Sequence, residues 1–409
     1  MPRRVPPRRR SAREWAVRGL LAVAAAAVGL AGVTETLAYA LRNGDVTRAH
    51  ALAPGNGRIS ALFSQNLSGP DATAADRVRA DRMAREALRR DPTAVTAVTT
   101  LGLNAQVRGD AAVARRLFTF AGALSRRDLQ TQVWAIEDAV SRGDVAGALH
   151  HYDTALRTSR SAPDLLFPVL ASAIADPAIR SALAETLARK PGWRAGFVSH
   201  VADNGPDPRA TARLFLDLGR MGDPVPEDAR AVVIGSLITR DFLADAWPFY
   251  ASGRPGADRR ISRDPRFTAE LGNPSAFDWT PINDAGVTTS VQRGDTGGVF
   301  DFAAPASVGG PALQQMQVLP PGDYRIEGRS IGIDQPEASR PYWTLTCRDG
   351  RELGRVVMPN SVQADGVFAG EFRVPAGCPL QTLTLVIRSS EAVSGVAGQV
   401  DRIQLRPAR

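Results

Sequence analysis

Lysine is all but missing from this chain. Lys190 stands alone, and every other member of the 50 basic residues is arginine. Positive charge is also scarce outside one stretch. The chain carries +8, but Arg3, Arg4, Arg8, Arg9, Arg10, Arg13 and Arg18 against Glu14 give the first 18 residues a net +6, leaving about +2 for the rest. So little charge cannot track a phosphate backbone, and nucleic acid is excluded as a partner. No Gly-x-Ser-x-Gly elbow, phosphate loop or dinucleotide fingerprint occurs, so no catalytic residue and no cofactor is assigned. Asp295-Thr296-Gly297 has the letters of an aspartic protease triplet, yet Arg293-Gly294 precede it where a hydrophobic strand belongs, and it reads as a turn. Histidine is limited to His50, His150, His151 and His200, without metal-ligand spacing. His150 and His151, adjacent on a helix, diverge by about 100° and read as solvated residues, so no metal site is expected.

What is present begins with an uncharged run at residues 19–34 behind the arginine cluster. At the helical rise it spans roughly 24 Å, slightly short of a hydrocarbon core. Trp15 and Tyr39 stand at its two flanks. The one-sided charge places residues 1–18 in the cytoplasm and the chain after about residue 42 beyond a bacterial inner membrane, in the periplasm. A cleaved signal peptide is the alternative, with Ala38-Tyr39-Ala40 as its small-x-small site.

The tripeptide Arg108-Gly109-Asp110 returns as Arg142-Gly143-Asp144, 34 residues on. At the same interval Ala114 answers to Ala148, Phe118 to Tyr152 and Ala121 to Ala155. A fixed period of this length indicates a helix-turn-helix unit stacked on its neighbours. With Leu101-Gly102 ahead of the turn, the unit at 95–128 resembles the tetratricopeptide repeat. The unit at 129–162 matches in its second helix and departs in its first, where Ala135-Ile136 stand in place of Leu-Gly. Ala80, Ala84, Ala87 and Pro92 match the second helix of a preceding unit, with 58–66 as its first. Further pairs are expected at 191–201 with 208–218 and at 226–238 with 241–250, making about five. The resemblance implies a groove lined by first helices, here Thr96, Thr99, Leu103, Gln106, Gln130, Val133, Glu137 and Val140, that binds envelope proteins. A purely structural spacer is the alternative.

Near Pro274 the texture turns to short apolar-polar alternations broken by Gly and Pro, and ten strands are predicted between 277 and 405. So many short strands suggest an antiparallel β-sandwich or jelly roll. Alternation turns Trp343, Leu345 and Cys347 one way and Tyr342 the other. Cys347 and Cys378, confined to one small extracytoplasmic domain, read as a disulfide worth about 3.5 kcal/mol on the loop-entropy estimate, with two buried thiols as the alternative. Phe277-Asp278-Trp279, Pro320-Pro321-Gly322-Asp323-Tyr324 and the closing Asp401-Arg402-Ile403-Gln404-Leu405 resemble the jelly roll of carbohydrate-binding modules. That resemblance implies sugar stacking on exposed aromatics, with Tyr324 and Tyr342 as glycan-binding candidates, each also readable as a core or edge ring.

The expected organisation is a basic tail at 1–18, a transmembrane helix at 19–41, an α-solenoid of helix pairs at 42–270 and a β-sandwich at 275–409. The expected role is a non-catalytic, membrane-anchored periplasmic scaffold in cell-envelope polysaccharide assembly or export (exopolysaccharide or O-antigen), with proteins and polysaccharide as partners. A glycan-active enzyme with the sandwich as targeting module is the alternative.

Overall fold

The computed structural model describes residues 11–269, 272–294 and 297–408. The arginines at 3–10, and Asp295 and Thr296 of the protease-like triplet, lie outside them. The described chain is a helical region opened by an apolar helix, followed by a two-sheet antiparallel β-sandwich. It divides into two compact units, Met1–Pro163 and Asp164–Arg409.

The first unit opens with α1 (Ala12–Leu41), whose 30 residues would reach about 45 Å. Its most apolar 18-residue window has none of its residues buried. The C-terminal end is different: Ala38 is sealed in a small core with Ala49, Ala53 and Ile59, and Glu35 accepts a 2.8 Å hydrogen bond from Asn56. Then follow α2 (Val46–Leu52), α3 (Gly57–Leu67), α4 (Ala74–Arg90), α5 (Val95–Val107), α6 (Ala111–Leu124), α7 (Leu129–Ser141) and α8 (Val145–Thr158). Helices α3 and α4, α5 and α6, and α7 and α8 pack as consecutive pairs, with α4 on α5 and α6 on α7 between them.

The 34-residue period has a physical origin in the turns. Gly109 and Gly143 take φ of +84° and +70°, a left-handed conformation that favours glycine. The following amides, of Asp110 and Asp144, each return a 2.9 Å bond to the carbonyls of Ala105 and Ala139. This is the Schellman closure of a helix, made twice. Downstream of each turn the small-aromatic-small triplets are buried: Ala114, Phe118 and Ala121 in α6, and Ala148, Tyr152 and Ala155 in α8. A Cβ on Gly102 would stand 2.9 Å from the Phe118 ring, so the glycine is what lets α5 and α6 close.

The second unit carries all but the first two residues of α9 (Ala162–Ala173), then α10 (Pro177–Ala188), α11 (Arg194–Asn204), α12 (Pro208–Arg220), α13 (Glu227–Thr239) and α14 (Leu243–Ser252). Helices α9 and α10 are absent from the sequence expectations. Pro168 inside α9 hides the first of them from a reading that treats proline as a stop, and Asp176 with Pro177 caps the second.

The sandwich has one sheet of β1 (Thr280–Pro281), β4 (Gly310–Gln317), β9 (Gln381–Ile387), β6 (Tyr342–Cys347) and β7 (Glu352–Val357), in that order. The other has β2 (Thr288–Gly294), β3 (Gly297–Ala304), β10 (Val396–Pro407), β5 (Gly322–Ile331) and β8 (Val367–Val374). Among the described residues, only β2–β3 and β6–β7 are consecutive neighbours, and every other connection crosses between sheets. All pairings are antiparallel, and one apolar core fills the space between the sheets, with Trp343, Phe300, Phe302, Phe368 and Phe372 in it. The β6–β7 turn has Gly350 at φ +87°, with its amide donating to the Cys347 carbonyl at 2.9 Å. Cys347 and Cys378 are joined in a disulfide across 31 residues of sequence.

Candidate functional site

The eight groove candidates fall on α5 and α7 but are not equally available. Gln106, Glu137 and Val140 are exposed; Thr96, Leu103, Gln130 and Val133 are half-buried. Thr99 is sealed, its hydroxyl donating at 3.0 Å to the Thr96 carbonyl one turn back, so it cannot line an open groove. Leu103 is turned into the cluster of Ala105, Ala114 and Phe118. Gln130 accepts a 3.3 Å bond from Gln65.

A different face of α7 borders a cleft of about 470 Å³, bounded by α6, α7 and α8. Helical periodicity builds it: Thr131, Trp134, Asp138 and Arg142 recur at intervals of three and four, as do Arg115, Phe118 and Gly122 on α6. Its floor is an aromatic pair, Phe118 and Trp134, stacked with centroids 4.6 Å apart and planes 11° from parallel. At one wall Asp138 takes hydrogen bonds from Arg115, at 2.9 Å, and from Arg142. Burial pushes the Asp138 carboxyl up, but these two arginines outweigh it and hold it below the usual carboxylate range. At the other wall His151 Nδ1 lies 2.9 Å from the buried Gln132 Oε1. Burial, with the neighbouring His150 adding to it, lowers the His151 pKa. His151 thus departs from the reading of both histidines as solvated residues, while His150 is exposed as expected. Their rings meet edge to face at 5.6 Å and both line the cleft. The cleft was legible only as single letters, since the 34-residue period makes α6 and α8 equivalent helices without saying which of their side chains meet those of α7. Among the described residues no group of three His, Cys, Asp or Glu is placed to hold a metal.

In the sandwich, Tyr324 is 3% exposed and its hydroxyl donates at 2.9 Å to the Pro320 carbonyl. A ring closed off in this way cannot stack on a sugar, so Tyr324 belongs to the core. Tyr342 is half-buried, and the guanidiniums of Arg355 and Arg388 lie 4.1 and 4.9 Å from its centroid. They come from β7 and from the end of β9, the strands on either side of β6, so cation–π contacts already occupy the ring. Every other aromatic of the described sandwich is buried. Phe277 and Trp279 of the module-like opening are also core residues. The outer face of the β2-β3-β10-β5-β8 sheet is laced with ion pairs instead, including Arg329 with Asp401, Arg325 with Glu327 and Arg406 with Glu327.

A buried polar network, missed by the sequence reading, joins α14 to the sandwich within the second unit. Tyr250 donates to Asp278 at 2.8 Å, Arg254 reaches the same carboxylate at 3.2 Å, and Ser275 donates to it from both amide and hydroxyl. Burial, reinforced by Asp278, pushes the Tyr250 phenol up to about 12. Burial also works against the Arg254 charge, but Asp278 outweighs it and raises that pKa. Arg263 is enclosed beside them, donating to the Phe277 carbonyl at 2.8 Å, to Gln317 at 2.7 Å and to the Met316 carbonyl. Desolvation lowers its pKa to about 10. The network uses Asp278 as a fastening group, a structural role.

No protein-family model matches the chain, and no curated protein matches it. Among solved structures, the enzymatically active domain of bacteriophage CBA120 tailspike protein 4 is similar over 31% of this chain and 18% of its own, at 12% identity and TM-score 0.22. The chain therefore spans under a fifth of that structure. TmCBM61, in complex with β-1,4-galactotriose, is similar over 32% of this chain and 88% of its own, at 16% identity and TM-score 0.23. The accessory secretory protein 1, 2 and 3 structure of Streptococcus pneumoniae is similar over 36% of this chain and 97% of its own, at 14% identity and TM-score 0.23. Likenesses of this size leave function to be argued from the chain's own residues.

Proposed function

We propose that this protein is a membrane-anchored, extracytoplasmic scaffold that works by binding in the assembly or export of cell-envelope polysaccharide. The observation that carries the anchoring is α1, whose apolar window is long enough to cross a bilayer and has no protein packed over it. The arginine-rich stretch ahead of it favours an orientation with everything after α1 on the far side. The disulfide supports that placement, because such a bond persists in an oxidising compartment. Tetratricopeptide-like pairs would supply docking surface for envelope proteins, with Gln106, Glu137 and Val140 as the accessible members of the first-helix face. The polysaccharide setting is drawn from the module-like motifs of the sandwich.

Fusing a reporter active only in the periplasm after Arg409 tests the topology: activity is expected, and a reporter active only in the cytoplasm overturns the reading. Cross-linking in intact producing cells tests the scaffold role. Recovery of polysaccharide-assembly proteins is expected, and an unchanged polymer after deletion of the gene refutes it.

A further inference from the structure

We infer that the cleft between α6, α7 and α8 is a binding site for an acidic sugar, a pyranose unit bearing a carboxylate. The inference deepens the polysaccharide reading and rests on it for the choice of a sugar over another acidic ring compound.

Size comes first. A cleft of about 470 Å³ lies in the range of small-ligand sites and is bounded by three consecutive helices only. Packed helices stand about 8–10 Å apart, whereas six extended peptide residues reach about 20 Å, so the enclosure suits a compact ligand better than a peptide strand. The floor comes next. Trp134 is half-buried, covered on one side by Phe118 and bordering the cleft, so it offers a flat indole surface that accepts the C–H face of a sugar ring. Hydroxyl edges would meet His150 and Thr154, which stand along the rim.

Charge then selects the acid. Three arginines border the cleft, and Asp138 is the one carboxylate among its lining residues, shared between Arg115 and Arg142. Arg126, in the turn after α6, is exposed and forms no ion pair among the described residues. Two positive charges are therefore left unbalanced around an aromatic floor. A guanidinium fork facing a carboxylate makes the strong, charge-assisted kind of hydrogen bond.

The test is calorimetric titration of the full chain in detergent with triglucuronate, with its neutral methyl ester and with a hexaglutamate peptide. Triglucuronate is expected to bind and to weaken with salt, and the ester is expected to bind at least tenfold more weakly. Arg126→Gln, which disturbs no partner, is expected to weaken triglucuronate about tenfold, the loss of one charged hydrogen bond. Tryptophan emission should change on binding and stop changing in Trp134→Phe, which keeps a ring on Phe118 and so separates site from fold. Equal binding of ester and acid, preference for the peptide, or an Arg126→Gln protein that binds unchanged would each overturn the inference. If triglucuronate fails while the full chain still cross-links to polysaccharide-assembly proteins, the cleft assignment falls and the scaffold reading stands. If both fail, the scaffold reading falls too.

Discussion

Replacing Tyr250 by Phe removes a single hydroxyl from the network that fastens α14 to the sandwich, and its effect should change sign with pH. At neutral pH the hydroxyl donates to Asp278 at 2.8 Å, and a hydrogen bond to a charged partner is worth about 1.5 kcal/mol at the low end of its range. Asp278 keeps Arg254 and both donors of Ser275, so the loss should stay near that low end. The phenol's pKa is about 12 in the folded protein against 10.0 when free. Folding thus holds a proton that the unfolded chain releases, and the resulting stability is complete below pH 10 and disappears as pH climbs toward 12. At pH 11 the wild type should have lost about 1.4 kcal/mol relative to its neutral value, by the free energy of one pKa unit. Phenylalanine has nothing to ionise, so the two proteins should become equally stable near pH 11, with the variant ahead beyond it. Urea unfolding followed by tryptophan fluorescence at pH 7, 9, 10 and 11 measures the gap. Tyr152 and Tyr324 also have raised pKa values but are common to both proteins and cancel. A gap that stays constant from pH 7 to pH 11 would refute the reasoning.

Non-reducing mass spectrometry of the purified protein should find no alkylatable thiol, and replacing Cys347 and Cys378 by Ala should lower the stability of the sandwich by about 3.5 kcal/mol in denaturant unfolding. Gly102→Val should force Phe118 from its place and cost about 1–3 kcal/mol, read as an earlier helical melting transition by circular dichroism. Tyr342→Ala should leave retention by neutral polysaccharides unchanged in affinity electrophoresis, since two guanidiniums already cover that ring. The protein should remain with membranes through a high-salt wash, because the contact made by α1 is apolar.

Local chemistry made much of this chain readable from its letters. The ten strands of the sandwich follow from period-two alternation between turn residues. The 34-residue period follows from glycines that close two helices in one way. A charge-free run behind seven arginines marks α1. Each of these is a short-range effect, fixed by backbone conformation or by which residues share a face. What the letters could not supply is which rings and charges meet across elements. Tyr324 reads as a possible binding ring until packing buries it, and Tyr342 until arginines from two neighbouring strands close on it. Asp278 looks like part of a sugar-module motif and proves to be the acceptor that ties α14 to the sandwich. The α6–α8 cleft draws Arg115, Trp134 and His151 from three helices, and helix packing decides how far apart they stand. Function in this molecule depends on such meetings, which tertiary structure alone decides.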